Sequence, residues 1–258
     1  MTSQLGKLGI TKIIEGTLGA RGFKIKYKSQ QCLISPWHNI PLRASEKLNL
    51  YHYLNEIPLG TLKKMEVNTK EEHNPIIQDE KKGKLREFTY RVDKGGIPFN
   101  YGMLPQTWED PHKIIHVPFG GVKDGIYQPT IAVKGDGDPI DIVEVSDYAL
   151  EMGEVYTVKI FGILGMIDEG EMDWKVLAKV VTPEEEQASH FSQDIYDIPK
   201  GKLRDIIDWF RMYKTTDGKP ENHFAFQDSF LDRSYATHII EQTHKHWSER
   251  LPSDVKAQ

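Results

Sequence analysis

The sequence predicts an α+β domain, mainly β, with helices packed on a sheet or barrel. Two observations carry this. The first two-thirds of the chain reads as short strands broken by turn residues, and the last third holds apolar stripes at helical spacing. A third observation bounds it: 258 residues, 38% of them hydrophobic, suffice for a sizeable core. A single domain spanning residues 1–258 is therefore expected.

Taken in order, Met1 to Ile14 is polar and mixed, unlike the apolar core of a secretory signal. Up to Lys28 the basic residues Lys7, Lys12, Arg21, Lys24, Lys26 and Lys28 face Glu15 alone, a balance that transit peptides also show. However, Phe23, Ile25 and Tyr27 alternate with lysines, the period of a half-buried strand. Residues 1–50 are compatible with a small N-terminal extension packed on the domain, and no linker composition separates them. Gly and Pro clusters at Gly95–Pro98, Pro118–Gly121 and Gly135–Pro139 mark turns. Val155–Ile163 and Lys175–Val181 are rich in β-branched residues and read as strands. Thr182-Pro183-Glu184-Glu185 offers an N-cap, a first-turn proline and the glutamate of a capping box. Leu203, Ile206, Ile207 and Phe210 form one apolar helix stripe, which Thr216-Asp217-Gly218 should stop. Tyr235, Ile239, Ile240 and Trp247 predict a final amphipathic helix.

Bulk charge excludes several functions. A net charge of −5 and a pI near 6.1 give no drive toward nucleic acid or anionic membrane. No run approaches the length of an apolar span. Cys32 is the only cysteine, so no internal disulfide forms, in keeping with a reducing compartment. Cytoplasmic location is expected, with organelle targeting left open.

The informative stretch is Gly135-Asp136-Gly137-Asp138-Pro139-Ile140-Asp141. On a strand, Asp136 and Asp138 would project to one face, and a bend at Pro139 would bring Asp141 to join them. A second acidic run follows at Asp168-Glu169-Gly170-Glu171-Met172-Asp173, leading into Trp174-Lys175. Two carboxylates about 5 Å apart repel by roughly 3 kcal/mol at an effective dielectric of 20. Surface turns escape that cost by splaying, but here Ile140, Ile142, Val143, Trp174, Val176 and Leu177 should anchor both segments in the core. Divalent cations relieve the repulsion, and oxygen ligands without Cys or His favour Mg²⁺ or Mn²⁺ over Zn²⁺. An EF-hand loop starting at Asp136 fails, because Asp141 stands where glycine is required.

Cations that suit a small polyanion accompany these acids: Lys64, Arg86, Lys175 beside Asp173, and Lys214 after Tyr213. Each alone would be an ordinary surface charge. Neither G-x-x-x-x-G-K-[ST] nor G-x-G-x-x-G occurs, so no nucleotide site is indicated. His112 and His116 lack an evident third zinc ligand, and His238, His244 and His246 read as decoration of the last helix. No serine, nor Cys32, sits in a recognisable nucleophile setting.

From about Glu56 to Trp247 the chain resembles the family I soluble inorganic pyrophosphatases in their eukaryotic form. The resemblance rests on Asn74–Asp79, Lys82–Arg86, Asn100-Tyr101-Gly102, Pro105–Pro111, Asp136–Asp141, Asp168–Lys175, Trp209–Lys214 and Asp217–Asn222, in that order. It implies an OB-like five-stranded barrel flanked by helices. It also implies a homo-oligomer, a dimer or larger, and three to four Mg²⁺ per site, with Mn²⁺ or Zn²⁺ as substitutes. By the same resemblance, Asp136, Asp141 and Asp173 would hold the first metal, with Asp141 sharing the second. Asp168 with Asp173 would hold a third, and Glu66 would help bind a fourth. Asp138 would accept the proton of the attacking water. Lys64, Arg86, Tyr101, Lys175, Tyr213 and Lys214 would hold pyrophosphate, and Glu56 would lie in the outer polar shell. The expected reaction is direct in-line hydrolysis of pyrophosphate to two phosphates without a covalent intermediate.

Two departures from the family pattern stand out. Ile97 occupies the position of a family tyrosine, so no role assigned to that hydroxyl operates here. His112–Thr130 is longer than the matching loop of the fungal and animal enzymes. Two alternatives remain at this point: a short-chain polyphosphatase or nucleotide-phosphate hydrolase, and a catalytically silent phosphate-binding protein.

Overall fold

Val155 to Ile167, an almost unbroken apolar run, supplies the spine of the molecule. A computed structural model describes residues 3–251 except 120–121, 124–125, 128–129, 183–184 and 186–193. In it Val155–Asp168 is one long strand, buried along nearly all its length, and it folds back antiparallel on Glu171–Val180. Burial on both faces is what an uninterrupted apolar run demands of a strand, since alternation would leave half its side chains in water. Both strands predicted from β-branched composition are therefore present, and both extend toward each other into the acidic segment between them.

Glu171–Val180 pairs in parallel with Asp141–Glu144, which pairs antiparallel with Asn100–Met103. Asn100–Met103 pairs with Leu50–Ile57, and Leu50–Ile57 pairs with Val155–Val158. The ring thus closes on five strands, the barrel that the family resemblance implies. Gly102 is required where the ring is tightest. A Cβ there would stand 2.0 Å from the Leu54 carbonyl oxygen, so only glycine lets these two backbones approach.

The N-terminal segment belongs to a second sheet. Ile10–Glu15 pairs with Lys24–Ser29, which also pairs with Cys32–Ile34 and with Ile76–Gln78; the last pairs in turn with Met65–Val67. Ile25 and Tyr27 are buried, as their alternation with lysines predicts. The Tyr27 hydroxyl donates to the Gly153 carbonyl at 2.8 Å, tying this sheet to the start of the barrel's long strand.

Helices cover the barrel. Lys200–Met212 buries Ile206, Trp209 and Phe210 and half-buries Leu203 and Ile207, the expected stripe. It ends at Met212, before the predicted stop; the chain then makes one 3-10 turn at Thr215–Asp217, closed by Gly218 at φ +78°. Arg233–Arg250 is capped by Asp232, whose carboxylate accepts the Tyr235 N–H at 2.9 Å, and buries Ala236, Ile239, Ile240 and Trp247. The capping box at Thr182 and Glu185 is formed, with reciprocal bonds of 2.8 and 3.1 Å. Its continuation over residues 186–193 lies outside the described residues. No described helix is long and apolar enough to cross a membrane.

Two expectations need correction. Part of His112–Thr130, read as a loop, is a β-hairpin: Ile114–Pro118 pairs antiparallel with Thr130–Gly135. Opposed pairs Ile115↔Val133 and Val117↔Ile131 turn toward the core and seat it. Asp136 and Asp138 do not share a strand face either. The strand stops at Gly135, and Gly137 at φ +89° turns the chain, with the Asp138 N–H bonded to Asp136 Oδ1 at 2.9 Å.

Candidate active site

Every residue assigned a role by the sequence borders one cavity of about 400 Å³. Strand register explains much of this. Asp173 and Lys175 are two apart on one strand and so share a face, while Asp141 lies directly opposite Lys175 on the neighbouring strand. Asp168 ends the long strand at the hairpin tip. Tyr101 reaches in from the next strand of the ring and donates to Asp141 Oδ2. Glu56 comes from the end of the Leu50–Ile57 strand, Glu66 from the short Met65–Val67 strand of the second sheet, and Lys64 from the residue just before that strand. Tyr213 and Lys214 stand at the C-terminal end of the Lys200–Met212 helix.

One side of the cavity is acidic. Asp136 and Asp173 line it, and they and the buried Glu109, which borders a separate pocket, bring carboxylate oxygens within 4.8 Å of one another. Ionised carboxylates at that separation repel by about 3 kcal/mol at an effective dielectric of 20, equivalent to about two pKa units. Their proton affinities carry that repulsion. Burial, and then Asp173 and Asp138, push Asp136 up to about 8. Burial raises Asp173 against the pull of Lys175, and Asp141 adds to the rise, to about 7. Glu109 stands well above the carboxylate range through burial first and Asp136 and Asp173 next. Asp138, at the mouth, is raised by burial and by Glu66, while the Thr69 hydroxyl, 3.3 Å from its Oδ1, acts the other way.

The facing side is cationic, and each cation is held by an acid. Lys64 Nζ lies 2.8 Å from Asp79 Oδ2, and Arg86 bonds the same oxygen. Burial would raise the Asp79 carboxyl, but Lys64 and Arg86 outweigh it and hold it low. Lys64 also bonds Glu66, and Lys214 bonds Asp168. Lys175, only 2% exposed, sits at the junction of the two sides. It bonds Tyr101 Oη at 2.9 Å, Asp141 Oδ2 at 2.5 Å and Asp173, and lies 5.4 Å from the Phe210 ring centre. Burial works against its charge, but Asp141 and Asp173 raise its pKa well above the ordinary lysine value. Beneath this wall, Tyr213 stacks on Trp209 at 4.7 Å and meets Phe88 edge-on, which fixes the phenol at the cavity edge. Ile97, 1% exposed, lines the cavity with hydrocarbon where the family pattern has a hydroxyl.

Glu109 is the site residue that the sequence did not single out. It lies in the Trp108-Glu109-Asp110 run, far from the paired acids in the chain, with no D-x-D pattern of its own. Only its place in a family-like motif pointed to it. Its Oε1 accepts the Trp174 N–H at 3.0 Å, and its Oε2 is buried without a hydrogen-bond partner. Asp168 Oδ1 is in the same condition. Buried, unpartnered carboxylate oxygens beside other carboxylates fit a hard divalent cation, and the donor set contains no His or Cys. His112 and His116 are exposed on and beside the hairpin, and among the described residues they join no grouping of three metal-ligating side chains.

A closed barrel that opposes a carboxylate cluster to lysines and an arginine across one cavity defines a metal-dependent phosphoryl-transfer site. Residues 53–248 match the inorganic pyrophosphatase family, and the chain belongs to it. The chain is 43% identical over 235 residues to the inorganic pyrophosphatase of Bos taurus, covering 90% of this chain and 74% of that one. It is 39% identical over 248 residues to inorganic pyrophosphatase 1 of Caenorhabditis elegans, covering 96% of this chain and 55% of the other. Among solved structures, inorganic pyrophosphatase from Schistosoma japonicum superposes with a TM-score of 0.81 at 39% identity, over 93% of this chain and 80% of that one. The N-terminally truncated vacuolar soluble pyrophosphatase of Trypanosoma cruzi, solved in complex with PPi, gives 0.77 at 36% identity, over 93% and 90%.

Proposed function

We propose that this chain hydrolyses inorganic pyrophosphate to two phosphates in a reaction that requires Mg²⁺. The observation that carries the reading is one cavity lined both by mutually repelling carboxylates, Asp136, Asp141 and Asp173 among them, and by the cations Lys64, Arg86, Lys175 and Lys214. Asp136, Asp141 and Asp173 would hold the principal cation, with Asp168 and Glu66 at further positions. When bound, the cations would supply the charge that lowers the pKa of the attacking water and offsets charge on the phosphoryl oxygens.

The chain's own residues do the rest. Asp138, exposed at the cavity mouth and anchored through its main-chain N–H to Asp136, orients the water and takes its proton. Arg86 and Lys64, aligned on the shared Asp79 oxygen, hold one phosphoryl group by charge-assisted bonds. Lys175, Lys214 and the Tyr213 hydroxyl neutralise the leaving phosphate, which departs in line with the attacking oxygen. Asp138 acts here as the base for water rather than as the nucleophile, so attack is direct, without a covalent enzyme intermediate. Asn55, at the barrel wall, is satisfied by main-chain carbonyls at Leu150 and Glu151 and takes no part.

Phosphate release from pyrophosphate, tripolyphosphate and ATP under Mg²⁺, Mn²⁺ and Zn²⁺ separates this reading from a polyphosphatase. Pyrophosphate with Mg²⁺ is expected to be the fastest combination, and release without added metal should be negligible. Asp138→Asn should lose about 10²–10⁴-fold in kcat while keeping the wild-type melting temperature. Wild-type turnover by that variant at saturating Mg²⁺ removes Asp138 from the role of base.

A further inference from the structure

The Asp136-Gly137-Asp138 turn carries two of the acids of the site, yet its central glycine sits at φ +89°, where a glycine backbone has wide freedom. Something must hold it. The turn's internal bond, Asp138 N–H to Asp136 Oδ1, fixes one side chain but does not anchor the turn to the barrel. The anchoring comes from a short antiparallel pairing with Trp108-Glu109. The Gly137 N–H donates to the Glu109 carbonyl at 2.9 Å, and the Glu109 N–H donates to the Asp138 carbonyl at 2.9 Å. The third bond comes from a side chain: the Trp108 indole Nε1–H donates to the Gly137 carbonyl at 2.9 Å.

Trp108 is in turn held by the C-terminal helix. Its main-chain N–H donates to the Thr243 carbonyl at 3.0 Å. The Arg250 guanidinium, in the helix's last turn, lies 4.6 Å from the Trp108 ring centre and 5.1 Å from that of Trp37. A rigid element that touches neither phosphate nor metal is thus connected through one indole to the peptide between two site aspartates.

We propose that Trp108 is a positioning residue that holds the Asp136-Gly137-Asp138 turn in its metal-binding conformation, with Arg250 and the C-terminal helix as its support. The inference rests on the reading that this turn binds a divalent cation. Removing the indole N–H frees the Gly137 carbonyl to rotate outward, and the two carboxylates then converge only part of the time. Cation affinity falls, while pyrophosphate binding changes little, because Lys64, Arg86, Tyr213 and Lys214 line the cavity from other segments of the chain.

The test is Mn²⁺ binding to full-length wild type, Trp108→Phe and Arg250→Met, followed by electron paramagnetic resonance, with thermal melting and steady-state kinetics alongside. Wild type binding Mn²⁺ at all tests the underlying reading, and the ratio of variant to wild type tests the inference. For Trp108→Phe the Mn²⁺ dissociation constant is expected to rise about tenfold, with KM for pyrophosphate within about twofold of wild type. Arg250→Met, which keeps the indole N–H and alters only an exposed side chain, should give a smaller rise in the same direction. It should also give faster hydrogen exchange over residues 136–140, a readout that remains if Trp108→Phe fails to fold. Unchanged Mn²⁺ affinity in folded Trp108→Phe, or unchanged exchange over the turn in Arg250→Met, overturns the proposal.

Discussion

Glu109, which meets Asp136 and Asp173 but does not line the cavity of about 400 Å³, uses its two oxygens in different ways. Oε1 accepts a main-chain N–H from Trp174, while Oε2 faces Asp136 and Asp173 without a hydrogen bond. Burial and those two neighbours push its pKa up, which favours the protonated acid in the metal-free protein. Glutamine has the same shape, keeps an acceptor for Trp174 and mimics the protonated acid. Glu109→Gln should therefore leave metal-free stability near wild type. In the same variant the Mg²⁺ concentration for half-maximal activity should rise by about 10–100-fold. Mg²⁺ titrations of activity, paired with calorimetric binding, check this; an unaltered Mg²⁺ requirement would remove Glu109 from the cation site. Lys175 shows the same economy of placement, since a 2%-exposed ammonium survives burial only because Asp141, Asp173 and the Tyr101 hydroxyl converge on it.

At the scale of elements, the site depends on how closely the ring strands approach. Asn100–Met103 carries Tyr101, Leu50–Ile57 carries Glu56, and the pairing shifts register between Tyr101 and Gly102. A Cβ at Gly102 would meet the Leu54 carbonyl oxygen at 2.0 Å and the Glu56 N at 2.9 Å, both backbone atoms that cannot swing away. Gly102→Ala should destabilise the fold by about 1–3 kcal/mol or more, and should reduce activity because Tyr101 and Glu56 flank the clash. Urea unfolding measures the first effect, and a loss below about 0.5 kcal/mol would mean that the strands separate more easily than this packing allows. The alternation at Phe23, Ile25 and Tyr27 and the stripe from Leu203 to Phe210 were readable in advance, since each period reports burial of one face. The Ile114–Pro118 hairpin strand was not, because its few inward residues, Ile115 and Val117, make too short a pattern to distinguish from a loop.

For the whole molecule, the acidic cluster links metal, protons and stability. Asp136 and Asp173 have folded-state values of about 8 and about 7, far above those of an unfolded chain. Folding therefore takes up protons between the unfolded and folded values, and the stability tied to these groups is present at low pH and lost as pH rises through 7 to 8. In the presence of a chelator, this contribution should lower the melting temperature as pH rises from about 4 to about 8, the window between the unfolded and folded values, and should level off above it. Saturating Mg²⁺ should reverse the trend, because a cation that displaces the protons binds more tightly as pH rises. Melting curves across that range, with chelator and with Mg²⁺, measure both slopes. Equal Mg²⁺ stabilisation at both ends would contradict a cluster that titrates near neutrality.

Sequence alone determined the mainly β class, the two covering helices, the strands either side of the second acidic run and the acids themselves. These are properties of neighbouring residues: period, capping chemistry and local charge density need only a few positions to declare themselves. The fold decided what those acids could become. Glu109, some 27 residues from Asp136 by the numbering of the chain, joins it because the ring brings the Trp108-Glu109 backbone against the Gly137 turn. Asp79, unremarkable in the sequence, aligns Lys64 with Arg86 through one oxygen. Distances of a few ångströms between residues remote in the chain arise from strand register and ring closure, and no local pattern encodes either.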